Sequence, residues 1–408
     1  MTFTQEPCSI EKIMRPGTEG RLILGDGTCP PAEYKGKVQC VYIDPPFNTG
    51  KTFTCRACVG AAEYEKGIGS LTLNAYEDRY LDRESYHDLL ERLILAARDL
   101  LTDSGSFFLH LDQREAPYGR MIADRIFGEG NFVNEIVWAY QSGGRSMKRF
   151  SAKHDTILFY RRSRAHYFDI TGAPVPRSTY RHNHMKRQVD ASGRSYRTIR
   201  SGGKTYTYYD DDPVYPGDVW TDVSHLQQKD PQRTGYDTQK PVSLLRRIFA
   251  CTTRPGDLTA DLCCGSGTAA VAALGLERAF LAMDLSPMAI AVSRKRLTEA
   301  ALTTQWSSGV PGAGITAEII PGIGFHEIVL TGYDPGPGPL QPGLDSVDAW
   351  AVGFIRDGVF QTHDLFCRGK QAPELNTSLL LPQLRGSIGI LIVDAMGRPS
   401  VWRLNEEI

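Results

Sequence analysis

The sequence predicts an α/β fold built on a doubly wound parallel sheet. Three observations carry that expectation. Short apolar runs such as RLILGD (21–26), VQCVYID (38–44) and FLAMD (280–284) each end in an acid, as buried strands do when they deliver a carboxylate to a crevice. Segments of helical period separate these runs. A glycine-bearing turn, Asp261-Leu-Cys-Cys-Gly265-Ser-Gly267-Thr268, joins one of the strands to the helix that follows it.

The elements follow in order. Strands are expected at 21–26 and 38–44. Residues 84–103 carry Tyr86, Leu89, Leu90, Leu93, Ala97, Leu100 and Leu101 on one helical face, with Ser85 and Asp88 resembling a capping box and Gly105 placed as a stop. Then come strand 106–112, helix 114–127 and strands 132–140 and 154–162. Residues 165–235, rich in Arg, Tyr, Ser and Gly, show little periodicity. The alternation resumes with helix 241–253, strand 258–263, helix 267–276, strand 279–284 and helix 287–300. Beyond residue 303, PGAG, PGIG and YDPGPGPLQPG punctuate short apolar runs, the pattern of a small β-rich domain.

Composition excludes several classes. The 408 residues are 41% hydrophobic and 23% charged, which is globular rather than disordered. No apolar run approaches the roughly 18 residues that cross a bilayer, and the N-terminus lacks the apolar core of a signal peptide. Nine cysteines without a framework spacing point to a reducing cytoplasm. Cys55-x-x-Cys58 is a single pair, short of the four ligands of a structural zinc, so no metal is expected. The histidines, among them His110, His182, His184 and His225, read as polar residues without partners. Charge is uneven. Residues 141–210 hold fifteen Lys and Arg against four acids, a net of +11, while the rest of the chain carries −12. A polyanionic partner and a solvated basic loop both fit that segment.

Three groups of residues carry chemistry. Asp44-Pro45-Pro46-Phe47 ends a strand. Its prolines remove two N–H donors, leaving a carboxylate and carbonyl oxygens that suit an exocyclic amine, beside an aromatic ring that suits a planar base. An ordinary tight turn is the plainer alternative. The Gly265–Gly267 turn lets backbone approach a ligand, and Asp284, about twenty residues on, is placed to hold ribose hydroxyls. Together they describe a nucleoside cofactor without a phosphate-binding loop.

VYIDPPFNTG, TGYDTQKPVSLL, and DLCCGSGT followed by FLAMDLSPMAIAVSRKRL resemble the amino-group DNA methyltransferases, in the β order with the DPPF motif first. HLDQREAPYGRMIADRIFGEGNFVNEIVW and VDAWAVGFIRDGVF…ILIVDAMGRPSVW are similar to modification subunits of type III restriction systems and their solitary relatives. The resemblance implies a Rossmann-like, circularly permuted, S-adenosylmethionine-dependent sheet. It implies that Asp44, Pro45, Pro46 and Phe47 are the catalytic set. The target amine would donate to Asp44 and the Pro45 carbonyl, and the flipped base would stack on Phe47. Asp261, Cys263, Gly265, Gly267 and Thr268 would line the cofactor, Asp284 its ribose, Asp26 its adenine, and Thr238, Gln239 and Lys240 its methionine end. The family's usual Pro-Phe is here Leu262-Cys263, which implies weaker cofactor binding.

The resemblance also divides the chain. Residues 1–164 would be the catalytic half, 165–235 a basic target-recognition region, 236–303 the cofactor half and 304–408 the β-rich domain. Arg177, Arg181, Lys186, Arg187, Arg194, Arg197, Arg200 and Lys204 are the candidate DNA contacts. The function implied is site-specific methylation of adenine N6 in a flipped base of duplex DNA. Cytosine N4 and a catalytically weak DNA-binding relative are the alternatives. The expected setting is a bacterial or phage-encoded cytoplasmic protein with no membrane partner, and a cognate restriction subunit and a homodimer stay open.

Overall fold

The computed structural model describes residues 2–140, 146–175, 186–307, 309–383 and 386–405. Strands β1 (Phe3–Glu6), β2 (Ile10–Ile13), β3 (Glu19–Leu24) and β4 (Val38–Ile43) open the chain. A hairpin follows, β5 (Lys51–Ala57) and β6 (Leu71–Asp78), with the short helix α1 (Ala61–Lys66) between its arms. Next are α2 (Arg83–Leu100), β7 (Leu101–Asp112), α3 (Ala116–Phe127), β8 (Phe132–Ala139) and β9 (His154–Arg161). Residues expected to be irregular form a meander, β10 (Arg187–Val189), β11 (Ser195–Ser201) and β12 (Lys204–Tyr209). Cross-strand pairs such as Tyr196 with Tyr209 and Ile199 with Tyr206 hold it, because aromatic and β-branched residues pair well on a pleated surface. After β13 (Val219–Trp220) come α4 (Val242–Thr252), β14 (Leu258–Asp261), α5 (Thr268–Leu274), β15 (Ala279–Asp284), α6 (Pro287–Arg296) and β16 (Ala301–Gln305).

The central strands lie in the order β16-β3-β15-β14-β4-β7-β9-β8. They are parallel from β16 through β7, and β9 runs against β7. β4 is buried along its whole length, and its side chains alternate between two cores. Val41 and Ile43 pack with Tyr86, Leu90 and Ile94 of α2, while Cys40 and Tyr42 join Leu244, Phe249 and Ala269 of α4 and α5. That period-2 division places helices on both faces, the three-layer arrangement the strand pattern predicts. From β4 the chain winds outward to β7, and from β14 it winds the other way to β15. The crevice of such a sheet opens between those two strands, at their carboxyl ends.

Two local expectations fail. Asp82, not Ser85, caps α2. Its carboxylate accepts from the Ser85 N–H at 2.8 Å and from the Ser85 hydroxyl at 2.6 Å. Gly105 stops nothing, since α2 ends at Leu100 and Leu101 is already extended. Gly105 lies inside β7, in an irregular stretch where Leu101 pairs Val38 and Ser106 pairs Cys40.

Among the described residues beyond β16, apart from a short 3-10 helix at Leu344–Ser346, the regular elements are strands: β17 (Gly314–Pro321), β18 (Phe325–Asp334), β19 (Val347–Arg356), β20 (Val359–Cys367), β21 (Ser378–Pro382), β22 (Ser387–Asp394) and β23 (Pro399–Leu404). β19, β20, β22 and β23 do not form a sheet of their own. β2 pairs β16 on one side and β20 on the other, and β1 pairs β23, so fifteen of the described strands share one sheet. At that seam Arg294 of α6 grips Glu11 of β2 through two 2.6 Å bonds, and Thr362 of β20 donates to the same carboxylate at 2.7 Å. Both charged side chains are at most 2% exposed.

Candidate active site

Four strands deliver an acid to one end of the sheet. Asp26 follows β3, Asp44 follows β4, and Asp261 and Asp284 close β14 and β15. They line a single crevice with about 1030 Å³ of empty space, part of it continuous with solvent. Pro46, Thr238, Gln239, Lys240, Cys263, Gly265 and Thr268 line it too. Pro45, Phe47 and Gly267 do not. Cβ on Gly267 would stand 2.5 Å from Ser293 Oγ, so that glycine serves the packing of α5 on α6.

The Asp44–Phe47 loop is held from outside its own strand. Tyr86 of α2 donates to the Pro46 carbonyl at 2.6 Å. Arg114 donates to the Phe47 carbonyl at 3.0 Å and the Asn48 carbonyl at 3.3 Å. The Asp78 carboxylate accepts the N–H groups of Asn48 and Thr49 at 2.7 and 2.9 Å. The loop is therefore not free of donors, as its prolines had suggested, because the donors come from other elements. The Pro45 carbonyl receives none of these bonds. Asp44 Oδ2 accepts from Lys240 Nζ at 2.5 Å, and Asp44 Oδ1 is buried with no partner.

Phe47 packs over a buried layer that sequence reading missed. His110, fully buried on β7, lies 6.0 Å from the Phe47 ring and bonds Tyr42 at 2.7 Å and Asp155 at 3.2 Å. Tyr140 donates to the other Asp155 oxygen at 3.0 Å. Burial raises the Asp155 pKa, but the His110 bond and the charges of His110 and Lys240 outweigh it and hold the carboxyl below its ordinary range. His110 thus has partners, reached only through strand pairing.

On the cofactor side, the left-handed conformation of Gly265 (φ 50°) turns its N–H onto Asp284 Oδ2 at 2.8 Å. Asp261 accepts from the Cys263 N–H at 3.0 Å, and Asp26 accepts from the Thr28 N–H at 2.8 Å. Burial pushes the Asp284 carboxyl above its ordinary pKa and the Asp261 carboxyl well above it. Gln239 is committed to its own loop, accepting from Thr234 and donating to the Gln232 carbonyl. Tyr76, Tyr80 and Tyr236 also line the crevice. The alternating run LTLNAYEDRY (71–80) was the available signal for the first two. Tyr80 packs in the same cluster as Cys263 and Phe47, so aromatic surface stands beside the small thiol. Among the described residues no group of three His, Cys, Asp or Glu is placed to hold a metal.

The raised carboxyls make a pH prediction. A carboxyl whose folded pKa exceeds its unfolded value favours the folded state at low pH, and that advantage is lost as pH rises through the folded pKa. Asp261→Asn imitates the protonated form. Its melting temperature should match wild type only below the ordinary carboxyl pKa of about 4, exceed it by a growing margin as pH rises from there, and level off once the folded Asp261 is ionised. Parallel melting curves across pH would remove the argument.

Arg177 and Arg181 lie outside the described residues. The other candidate DNA contacts sit on or beside the meander, but they are not equivalent. Arg194 is bound to Asp211 at 2.8 Å and Asp212 at 3.2 Å, Arg187 to Asp210 at 3.2 Å, and Arg197 lies 3.9 Å from Asp210. Asp211 and Asp212 fall just past the basic window, so its net charge overstated the bare positive surface. Lys186, Arg200 and Lys204 are exposed, and among the described residues they have no acidic partner within 4.0 Å.

Residues 38–295 match the family model described as DNA methylase. The type II methyltransferase M.EcaI of Enterobacter cloacae is 24% identical over 306 residues, which is 64% of this chain and 64% of that protein. The DNA adenine methyltransferase YhdJ of Escherichia coli K12 is 25% identical over 287 residues, 69% of this chain and 84% of its own length. A solved structure, the M1.HpyAVI–SAM complex, shares 16% identity at a TM-score of 0.41, covering 68% of this chain and 98% of that one. With the matched segment running from β4 through most of α6, and so over every acid of the crevice but Asp26, the chain belongs to the DNA methylase family.

Proposed function

We propose that this protein transfers a methyl group from S-adenosylmethionine to the N6 amine of a flipped adenine at a specific site in duplex DNA. The observation that carries the reading is Asp44: one carboxylate oxygen is buried without a donor, at the rim of a crevice built for a nucleoside. A buried acceptor left unpaired is costly unless a ligand supplies the donor. The crevice fits the cofactor. Asp284 and Asp26 flank the Gly265 turn as acceptors for ribose and adenine. When bound, S-adenosylmethionine supplies an activated methyl group.

The chain's own residues then position the acceptor. Asp44 Oδ1 and the Pro45 carbonyl take the two amine hydrogens and favour a pyramidal nitrogen with its lone pair free for attack. Phe47 supplies a ring face for the base. No covalent enzyme intermediate is needed, so the pocket works by orienting two reactants. Extracting the base from the duplex costs a few kcal/mol, which contacts along the DNA must offset. The distinguishing experiment is mass spectrometry of nucleosides from DNA treated with the enzyme. N6-methyladenine is expected, following from Asp44 at the head of the motif; N4-methylcytosine as the sole product would refute the adenine assignment and leave the pocket argument standing.

The β10–β12 meander is the proposed DNA-contacting surface. Each neutralised phosphate adds about 0.9 to the slope of log affinity against log salt. Replacing Arg200 and Lys204 with Gln should flatten that slope by up to about two units. The same change at Arg194, already bound to two acids, should move it less. Equal effects would mean that those ion pairs dissolve on DNA. Duplex DNA is the proposed partner. Among the described residues no helix is long and apolar enough to cross a membrane.

A further inference from the structure

The crevice holds one feature that cofactor binding and base positioning do not require. Lys240 Nζ is 2.5 Å from Asp44 Oδ2 and 5.2 Å from the centroid of the Phe47 ring. The same ammonium therefore touches both groups assigned to the target base. Its backbone is fixed: the Lys240 carbonyl accepts from Thr268 Oγ1 at 3.2 Å, and Pro241 caps α4 directly after it. Only the four-carbon stem can swing. Its side chain is 12% exposed and that of Asp44 17%, so the pair is partly shielded from water and from salt.

We propose that Lys240 is a positioning residue that closes the base seat, covering Asp44 and Phe47 until the cofactor's carboxylate draws its ammonium away. The proposal rests on the methyltransferase reading above. While Lys240 covers the seat, Asp44 Oδ1 stays free, but the ammonium on Oδ2 draws on the same carboxylate and weakens it as an acceptor for a base amine. The ammonium also stands over the ring at the height of a stacked base, since stacked rings lie about 4.5–7 Å apart between centroids. The other acids of the crevice do not draw Lys240 off. Asp284 is occupied by the N–H groups of Gly265 and Ser286, and Asp261 is held toward its neutral form by burial. A carboxylate entering beside Thr238 is a new, strong acceptor within reach of the stem. The consequence is ordered binding: cofactor first, flipped base second.

Two nucleosides separate the idea from simple occupancy. S-adenosylhomocysteine carries the amino-acid carboxylate, and 5′-methylthioadenosine lacks it. Crystal structures should show the Lys240–Asp44 pair intact in the free protein and in the 5′-methylthioadenosine complex, and broken in the S-adenosylhomocysteine complex. Calorimetry should show wild type preferring S-adenosylhomocysteine, with that preference reduced on the order of tenfold in Lys240→Met and kept in Lys240→Arg. Binding of 5′-methylthioadenosine should not change in either variant, which also reports intact folding. A pair that stays closed with S-adenosylhomocysteine bound overturns the proposal and leaves the methyltransferase reading untouched. Binding of neither nucleoside would remove both.

Discussion

Asp44→Ala is expected to lower the rate of methyl transfer by about 10²–10³-fold or more, the scale seen when one preorganised group of a reacting centre is removed. Cofactor affinity is expected to be at least retained, because the hydrogen-bond partner of Asp44 is Lys240 and not the Gly265 turn, and Asp284 stays in place on its two backbone donors. Losing the carboxylate also frees Lys240 from its 2.5 Å partner, so binding of a ligand that carries a carboxylate should not weaken. Asp44→Asn is the companion variant: it keeps one acceptor oxygen and should fall between wild type and Ala. Single-turnover transfer and calorimetry on the same preparations check both parts. A loss of affinity as large as the loss of rate would show that Asp44 serves the cofactor instead of the base.

Glu11→Ala is expected to have the largest effect on stability. Arg294 is 2% exposed, and Glu11 takes both of its 2.6 Å bonds. The groups that would remain beside the guanidinium are the Trp306 ring, 5.5 Å away, and the Cys367 sulfur at 4.0 Å, neither of which replaces a carboxylate. Removing one partner of a buried pair costs about 3–5 kcal/mol, because the other charge is left without compensation. The midpoint of thermal unfolding should drop by roughly 5–10 °C, at about 2 °C per kcal/mol. Replacing both partners with apolar residues of similar size, Glu11→Leu with Arg294→Met, should recover most of that loss. If the double variant melts no higher than the single one, the site tolerates no apolar repacking and the charge argument fails.

The parts of the site that could be read from the sequence share one property: their signals are local. Asp44, Asp261 and Asp284 each close a short apolar run, and a strand that ends in a crevice exposes its last residue there. The same logic covers the three-layer sheet, since alternation along β4 and the helical period of α2 are visible within a few residues. What escaped depends on distant partners. The Lys240–Asp44 pair joins positions 196 residues apart. Asp155 meets His110 through the β7–β9 register, and nothing near either residue announces it. Arg194 looked unpaired because its partners Asp211 and Asp212 lie just beyond the basic run, while Arg187 and Arg197 meet Asp210 only through the folding of the meander. β2 was invisible for another reason: IEKI is only four residues long and carries a glutamate whose burial makes sense only once Arg294 is known.

The placement of β3 has a consequence for how the molecule is made. Its two neighbours, β15 and β16, leave the ribosome about 255 residues or more after β3 does, and β2 must wait longer still for β20. At about 5–20 residues per second, the first strands spend on the order of 10–50 s without the strands that will flank them. Pairings of such long sequence separation also close slowly, because the loop entropy is lost before any contact compensates. The half that winds outward from β4 to β7, α3 and β9 needs only local sequence and can form first. The nascent chain therefore carries a window in which unpaired strand edges are open to other chains, and production of the intact protein should be more sensitive to translation speed and chaperone supply than its final stability would suggest.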